Sequence, residues 1–170
     1  MTIYSIAAVA ENGAIGKDND LIWNLPDDMK FFKEKTLNTA VIMGRKNFES
    51  IPHKFRPLPK RVNIVLSRDK GFSAKGAYTF ESIQEAIHFC EQEGYDKTFV
   101  IGGGQIYKLA LDEGLIDEMF ITQVHASFDG DSFYPPLNKN EWSKSVISKH
   151  LPDEKHQYAF TIEHWVKNKS

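Results

Sequence analysis

The sequence predicts an α/β fold in which a mostly parallel central sheet carries helices on both faces and is completed by antiparallel C-terminal strands. Continuous apolar runs at residues 3–9, 39–43, 62–66 and 98–101 suit strands buried on both faces. Helix-like segments at 26–35, 45–50, 82–93 and 104–111 separate or follow them, as a parallel sheet requires. Strand-like segments at 118–125, 142–148 and 158–166 then occur with no intervening helix pattern, so antiparallel edge strands are expected to close the sheet. The 170 residues, 41% of them hydrophobic, are expected to form one domain spanning 1–170. A chain of ~150 residues can bury roughly 70% of its unfolded surface.

The first run ends in Ala8-Val9-Ala10, superficially like a signal cleavage site, but no Lys or Arg precedes it and it holds Tyr4 and Ser5. It reads as the first strand. The next element starts at Pro26, because a missing N–H is harmless at the first helical position. At about 3.6 residues per turn, Asp28 and Phe32 share one helix face with Leu25 and Met29 beside them, whereas Asp27 points off that stripe, three residues before Lys30. One acid is therefore expected to be enclosed, and Asp27 to be solvated, serving only the positive end of the helix dipole. Residues 52–59, rich in proline, read as a surface loop. Cys90, the only cysteine, falls in the apolar phase of the 82–93 helix and reads as a buried core thiol in a reducing compartment, which excludes a disulfide framework.

A net charge of −2 and a pI near 6.3 provide no general field for nucleic acid or anionic lipid, so any anion site must be local. The six histidines show no pair at i, i+4 spacing and no cysteine pair beside them, and no metal site is expected. No window approaches the ~18 apolar residues of a membrane span. A soluble, cytoplasmic monomer is the expectation.

Three strands run into turns with anion-binding chemistry. After Phe99-Val100-Ile101 come Gly102-Gly103-Gly104 and the helix opening Gln105-Ile106-Tyr107, where bare backbone N–H groups can approach a pyrophosphate. The spacing is not the dinucleotide fingerprint, since no glycine lies three residues beyond Gly104. Gly44-Arg45-Lys46 follows the strand ending at Met43, and Ser67-Arg68 follows the strand ending at Leu66. Ligands of open α/β sheets bind beyond the carboxyl ends of strands, and two arginines with a serine suit an extra phosphate monoester. Jointly the three turns favour a phosphorylated dinucleotide such as NADPH.

With these features in place, the chain resembles the bacterial dihydrofolate reductases. The similarity runs in order through Ile6-Ala7-Ala8, Ile15-Gly16, Trp23-Asn24-Leu25-Pro26, Ile42-Met43-Gly44-Arg45-Lys46, Glu49-Ser50-Ile51, Arg56-Pro57-Leu58-Pro59, Asn63-Ile64-Val65-Leu66-Ser67, Val100-Ile101-Gly102-Gly103-Gly104-Gln105-Ile106-Tyr107 and Gly130-Asp131-Ser132-Phe133-Tyr134-Pro135. Each motif is weak alone, and the ordered set is specific.

The resemblance implies reduction of 7,8-dihydrofolate by NADPH, with hydride reaching pterin C6 and a proton reaching N5. It assigns Asp28 to the pterin amino group and ring nitrogen as the catalytic residue, and Thr122 to its support. Ile6, Ala7, Ala8, Phe32, Ile51 and Leu58 would line the folate pocket, and Arg61 would clamp the α-carboxylate of the glutamate tail. The loop from Ala14 to Leu21, with Ile15, Gly16 and Asn19, would close over the nicotinamide together with Ala8. Gly44, Arg45, Lys46, Asn47, Ser50, Leu66, Ser67 and Arg68 would hold the adenosine half and its 2′-phosphate. Ile101, Gly102, Gly103, Gly104, Gln105, Ile106 and Tyr107 would meet the pyrophosphate, with a cis peptide between Gly102 and Gly103. Antifolates such as trimethoprim and methotrexate are implied ligands.

Three positions depart from the family pattern. Ile22 replaces the usual proline before the tryptophan, the segment from Pro52 to Arg56 is about two residues longer, and Glu81 stands where some relatives place a lysine near the adenosine phosphate. Two rival readings fit these residues less well. A reductase of riboflavin synthesis would need additional phosphate ligands and no Asp28/Phe32 pocket, and a non-catalytic dinucleotide-binding regulator would need neither Asp28, Thr122 nor Arg61.

Overall fold

The computed structural model describes residues 1–18 and 20–169. In chain order the elements are β1 (Thr2–Ala10), β2 (Ala14–Gly16), α1 (Pro26–Thr36), β3 (Ala40–Gly44), α2 (Arg45–Ser50), a 3-10 turn (His53–Phe55), β4 (Val62–Leu66), β5 (Ala77–Phe80), α3 (Ile83–Gln92), β6 (Lys97–Gly102), α4 (Gly104–Asp112), β7 (Glu118–Val124), β8 (Ser132–Phe133), β9 (Trp142–His150) and β10 (Phe160–Lys167). Eight strands form one sheet in the order β5-β4-β3-β6-β1-β7-β10-β9.

The α/β class, the mostly parallel sheet and its antiparallel end match the sequence reading, with one correction. The segment 118–125 was grouped with the antiparallel strands, yet β7 runs parallel to β1, from Tyr4 opposite Glu118 to Ala10 opposite Val124. The helix α4 that precedes it returns the chain to the start of the sheet, so direction is conserved across the crossover. Within the eight-stranded sheet, antiparallel pairing begins with β10, against β7 on one side and β9 on the other.

Alternation along the strands divides the core between the two sheet faces. Ile3, Val9, Ala40, Ile42, Ile64, Leu66 and Val100 pack with α3 and α4, through Ile83, Ala86, Ile87, Cys90, Tyr107 and Ala110. Tyr4, Ile6, Val41, Met43, Val65, Phe99 and Phe120 face the other way, against Phe48 of α2 and Phe31 and Phe32 of α1. Cys90 is buried as expected, and burial pushes its thiol up.

Two features carried no readable signal. Strand β5 is a sheet edge with its residues half-buried or exposed, so it shows no apolar run. The β2 and β8 pair is only three residues against two, below the length at which a period shows. The Arg56–Pro57 and Gly102–Gly103 peptides are cis. Among the described residues, no helix is long and apolar enough to cross a membrane, and no group of three or more His, Cys, Asp or Glu could hold a metal ion.

Candidate active site

Asp28 lies in the first turn of α1, on the side of the helix that packs over the sheet. The inward stripe is Leu25, Asp28, Phe31, Phe32 and Thr36, which recurs at three- and four-residue steps. Met29 corrects the sequence reading. It is 50% exposed and stands off the buried stripe, because Phe31 takes the packing position assigned to it.

Thr122 Oγ1 donates to Asp28 Oδ1 at 2.5 Å across 94 residues. Thr122 is 2% exposed at the centre of β7, where register sets it between Ala8 of β1 and Ile162 of β10. Burial pushes the Asp28 carboxyl above its ordinary value, opposed by the Thr122 hydrogen bond and by the charge of His150. The carboxylate is thus enclosed and held by one hydroxyl.

Around it, Phe32, Ile51 and Leu58 pack with Ile6 in one cluster on this face. Ala8 packs beside Trp23 and Leu25. Ala7 is turned to the opposite face by strand alternation and packs there, leaving only its main chain toward the site. Arg61 is braced rather than free: Nε donates to the Pro59 carbonyl at 3.0 Å and Nη1 to Thr36 Oγ1 at 3.1 Å. Partial burial lowers its guanidinium below the ordinary value. It faces an open cleft of about 450 Å³, shared with Asn38, Thr39, Lys60 and Val62.

The three turns that the sequence marks as candidate anion sites end adjacent strands β4, β3 and β6. Gly44 is the N-cap of α2 and Gly103 the N-cap of α4, whose first N–H groups have no partner within the helix. A Cβ on Gly44 would lie 3.0 Å from Ile106, and one on Gly104 would lie 2.8 Å from the Phe133 carbonyl. Gly102 has φ +108, and its Cβ would meet the Tyr107 ring at 2.8 Å, so only glycine fits there. Asn47 ties α2 to β6 by donating to the Ile101 carbonyl at 3.2 Å, and Ser50 donates to the Asn47 carbonyl at 2.6 Å. Arg45 lies 4.3 Å over the Phe72 ring, with ion pairs to Glu49 at 3.4 Å and Asp69 at 3.3 Å. Lys46 sits beside it in α2, Ser67 accepts from the Asp69 N–H at 3.2 Å, and Arg68 is exposed at the end of β4, just past the buried Leu66.

The helix that follows the glycine turn is tied to β1, since the buried Tyr107 hydroxyl donates to the Ile6 carbonyl at 2.7 Å. Burial, with lesser contributions from Tyr134 and Asp28, pushes the Tyr107 phenol well above its usual range. Gln105 lies between Gly104 and Ile106 in the first turn of α4.

The loop from Ala14 to Leu21 is held against residues 129–133. The Asp131 N–H donates to the Gly16 carbonyl at 3.0 Å, the Asp18 N–H donates to Asp131 Oδ2 at 2.9 Å, and Lys17 pairs with Asp129 at 2.5 Å. Gly130 fits beneath it, since a Cβ there would lie 2.9 Å from the Gly16 carbonyl and 3.4 Å from Ile22. Ile15 packs on the core, Leu21 is 60% exposed, and Asn19, expected in the cofactor site, lies outside the described residues.

Asp27 is solvated, as expected, but it has neighbours that its local sequence does not show. Its side chain is 53% exposed, but two histidines of the C-terminal region face it, His150 at 3.8 Å and His156 at 3.9 Å. Neither histidine was singled out by its local sequence.

Comparison with known proteins agrees with this geometry. The family model described as dihydrofolate reductase matches residues 2–167. The chain is similar to the dihydrofolate reductase of Haemophilus influenzae, 41% identical over 158 residues covering 93% of this chain and 94% of that protein. It is 38% identical to the dihydrofolate reductase of Staphylococcus haemolyticus over 160 residues, 94% of this chain and 92% of the relative. Among solved structures, dihydrofolate reductase from Enterococcus faecalis complexed with NADP(H) and RAB-propyl superposes with a TM-score of 0.88 at 34% identity, covering 99% of this chain and 97% of that one.

Proposed function

The chain belongs to the dihydrofolate reductase family, and on that premise we propose how its residues divide the work of reducing 7,8-dihydrofolate to 5,6,7,8-tetrahydrofolate with NADPH. The enclosed Asp28 carboxylate, held by Thr122 Oγ1 at 2.5 Å, is the observation that carries the proposal. A pterin is flat and apolar over most of its area and polar along one edge, so it suits one carboxylate set among aliphatic and aromatic walls. Asp28 takes the amino group and ring nitrogen of that edge. Its buried negative charge favours the protonated pterin, which draws a proton to N5. Ile6, Phe32, Ile51 and Leu58 form the walls, with Ala8 beneath and the Ala7 main chain alongside, and Arg61, already oriented by Thr36, takes a carboxylate at the cleft mouth.

The cofactor side fits NADPH. The backbone at Gly103 faces open space where a Cβ would stand, two helix N-termini lie beyond adjacent strands, and Arg45, Ser67 and Arg68 supply the donors a 2′-phosphate requires. When bound, NADPH supplies the hydride. Gly102 to Gly104 with Gln105 to Tyr107 hold the pyrophosphate, while Gly44 to Asn47, Ser50 and Leu66 to Arg68 hold the adenosine half. Ile15, Gly16 and Leu21 cover the reacting face and exclude water. An antifolate with a protonated heterocycle would pair with Asp28 in the same way. We extend the proposal to a single domain acting as a monomer in the cytoplasm.

The test is the pH dependence of hydride transfer in Asp28→Asn beside the parent, following loss of reduced-nicotinamide absorbance. The variant keeps shape and hydrogen bonding but loses the charge, and its rate near neutral pH should fall by about 10²–10⁴ with partial recovery in acid. Full neutral rate in Asp28→Asn would remove the assignment.

A further inference from the structure

Helix α1 begins without a cap supplied by its own sequence. Leu25 occupies the N-cap position and makes no side-chain cap hydrogen bond. The first-turn N–H groups therefore need an acceptor from elsewhere. For Asp27 it comes from 129 residues away: the backbone N–H donates to His156 Nε2 at 3.1 Å.

His156 is 2% exposed, and its other ring edge is fixed. Nδ1 lies 2.8 Å from Asp153 Oδ1, an oxygen that also accepts the N–H of Lys155 and of His156 itself, both at 2.8 Å. The ring is tilted against Phe160 at 5.5 Å. Because Nε2 accepts from Asp27, the proton resides on Nδ1 and is donated to Asp153, which selects the neutral tautomer. The sequence Asp153, His156, Asp27 N–H ends one peptide unit from Asp28.

We propose that His156 is a positioning residue for Asp28, fixing the first turn of α1 at the depth and rotation at which the carboxyl meets Thr122. The inference rests on the assignment of Asp28 above. Without the imidazole, the Asp27 N–H turns to water and the first turn loosens. The Thr122 contact then lengthens, and with it goes the interaction that holds the Asp28 carboxyl down against burial. The other groups facing this corner stay in place. They are the Asp27 carboxylate, His150 stacked on Phe160 at 4.4 Å with Nε2 beside Ser148 Oγ at 3.3 Å, and Tyr107, whose phenol senses the Asp28 charge.

The experiment is the pH profile of single-turnover hydride transfer in four variants beside the parent. His156→Ala should lower the acid plateau about five- to tenfold and move the falling limb to higher pH by about one unit, as weakening of a charge-assisted bond requires. His156→Gln presents an amide oxygen to the Asp27 N–H and an amide N–H to Asp153, and should restore the parental midpoint. Asp153→Ala leaves the imidazole but frees its tautomer, and should shift the limb the same way by a smaller amount. Since Asp153 is exposed, that variant maintains the test if His156→Ala does not fold. A loss of melting temperature with an unmoved midpoint in folded His156→Ala, or in Asp153→Ala, overturns the proposal, as does His156→Gln behaving like alanine. Asp28→Asn separates the two levels. A parental profile in that variant refutes the Asp28 assignment itself, whereas the expected neutral-pH loss with partial acid recovery there, together with parental midpoints in the His156 and Asp153 variants, refutes only the positioning role.

Discussion

Replacing Thr122 with valine probes the site with the least disturbance. Valine conserves the branched shape that β7 packs at this 2%-exposed position and removes one oxygen, so the strand between Ala8 and Ile162 should persist. The hydroxyl donates to Asp28 Oδ1 at 2.5 Å, and such a bond favours the ionised carboxyl. A hydrogen bond to a charged group is worth about 1.5–3 kcal/mol, so its loss should raise the midpoint of the site by about 1–2 pH units. Burial already acts in that direction and is unchanged by the substitution.

The observable is the limb on which hydride transfer falls as pH rises. In Thr122→Val it should move to higher pH by that amount, with a lower plateau because the carboxyl has lost its fixed orientation. Single-turnover measurement from pH 5 to 9 separates the two effects. A limb that stays in place, or moves toward acid, would show that the Thr122 hydroxyl does not restrain the carboxyl.

Three further outcomes follow from the same geometry. Asp28 carries a stability cost that depends on pH. Its folded carboxyl lies above the unfolded value of about 3.9, so the native state binds more protons between the two values, and stability falls as pH rises through that window and then levels. Asp28→Asn should abolish that fall, as denaturant unfolding of the ligand-free protein across pH 4 to 8 would record, and an unchanged slope would contradict it. NADPH should be preferred over NADH by at least about tenfold, and Arg45→Ala with Arg68→Ala should shrink that preference by roughly the same factor, the Arg45 share being reduced by its pairing with Asp69 and Glu49. Equal use of both cofactors by the parent would refute the phosphate assignment. Gly130→Ala drives a Cβ to 2.9 Å from the Gly16 carbonyl, a backbone atom that cannot turn aside, and should slow turnover several-fold through the loop while dihydrofolate affinity changes less. Equal losses in both would locate the defect in the pocket instead.

The parts of this molecule that could be read from sequence are those whose cause is local. Apolar runs mark β1, β3, β4 and β6 because both sheet faces are covered, and Pro26 marks the start of α1 because its chemistry suits only that position. Strand β5 left no trace because an edge strand with exposed faces need not be apolar, and the direction of β7 was misread because strand composition does not encode which neighbour it pairs with. Met29 was misplaced because helical spacing fixes angular neighbours but not which of two adjacent aromatics, Phe31 or Phe32, takes the sheet-facing position. The solvation of Asp27 was legible, but its histidine neighbours were not, since they arrive from the opposite end of the chain.

Yet the sequence does hold one sign of that contact, in what precedes Pro26. A leucine side chain cannot accept a hydrogen bond, and that of Asn24, which could, stands one residue too early to be the N-cap. A helix that starts on proline already lacks one N–H to satisfy, but those of the next residues remain, and a partly buried helix start leaves water unable to reach all of them. An apolar N-cap before an otherwise well-marked helix therefore requires an acceptor brought in by tertiary structure. Neutral histidine is one of few side chains that can accept through one atom and donate through another, so it can be buried at such a point only if a second partner takes its proton. In this chain that partner is Asp153, three residues before His156. The spacing lets one carboxylate hold both the ring and the turn that carries it, which is why the cap is rigid enough to define where Asp28 sits.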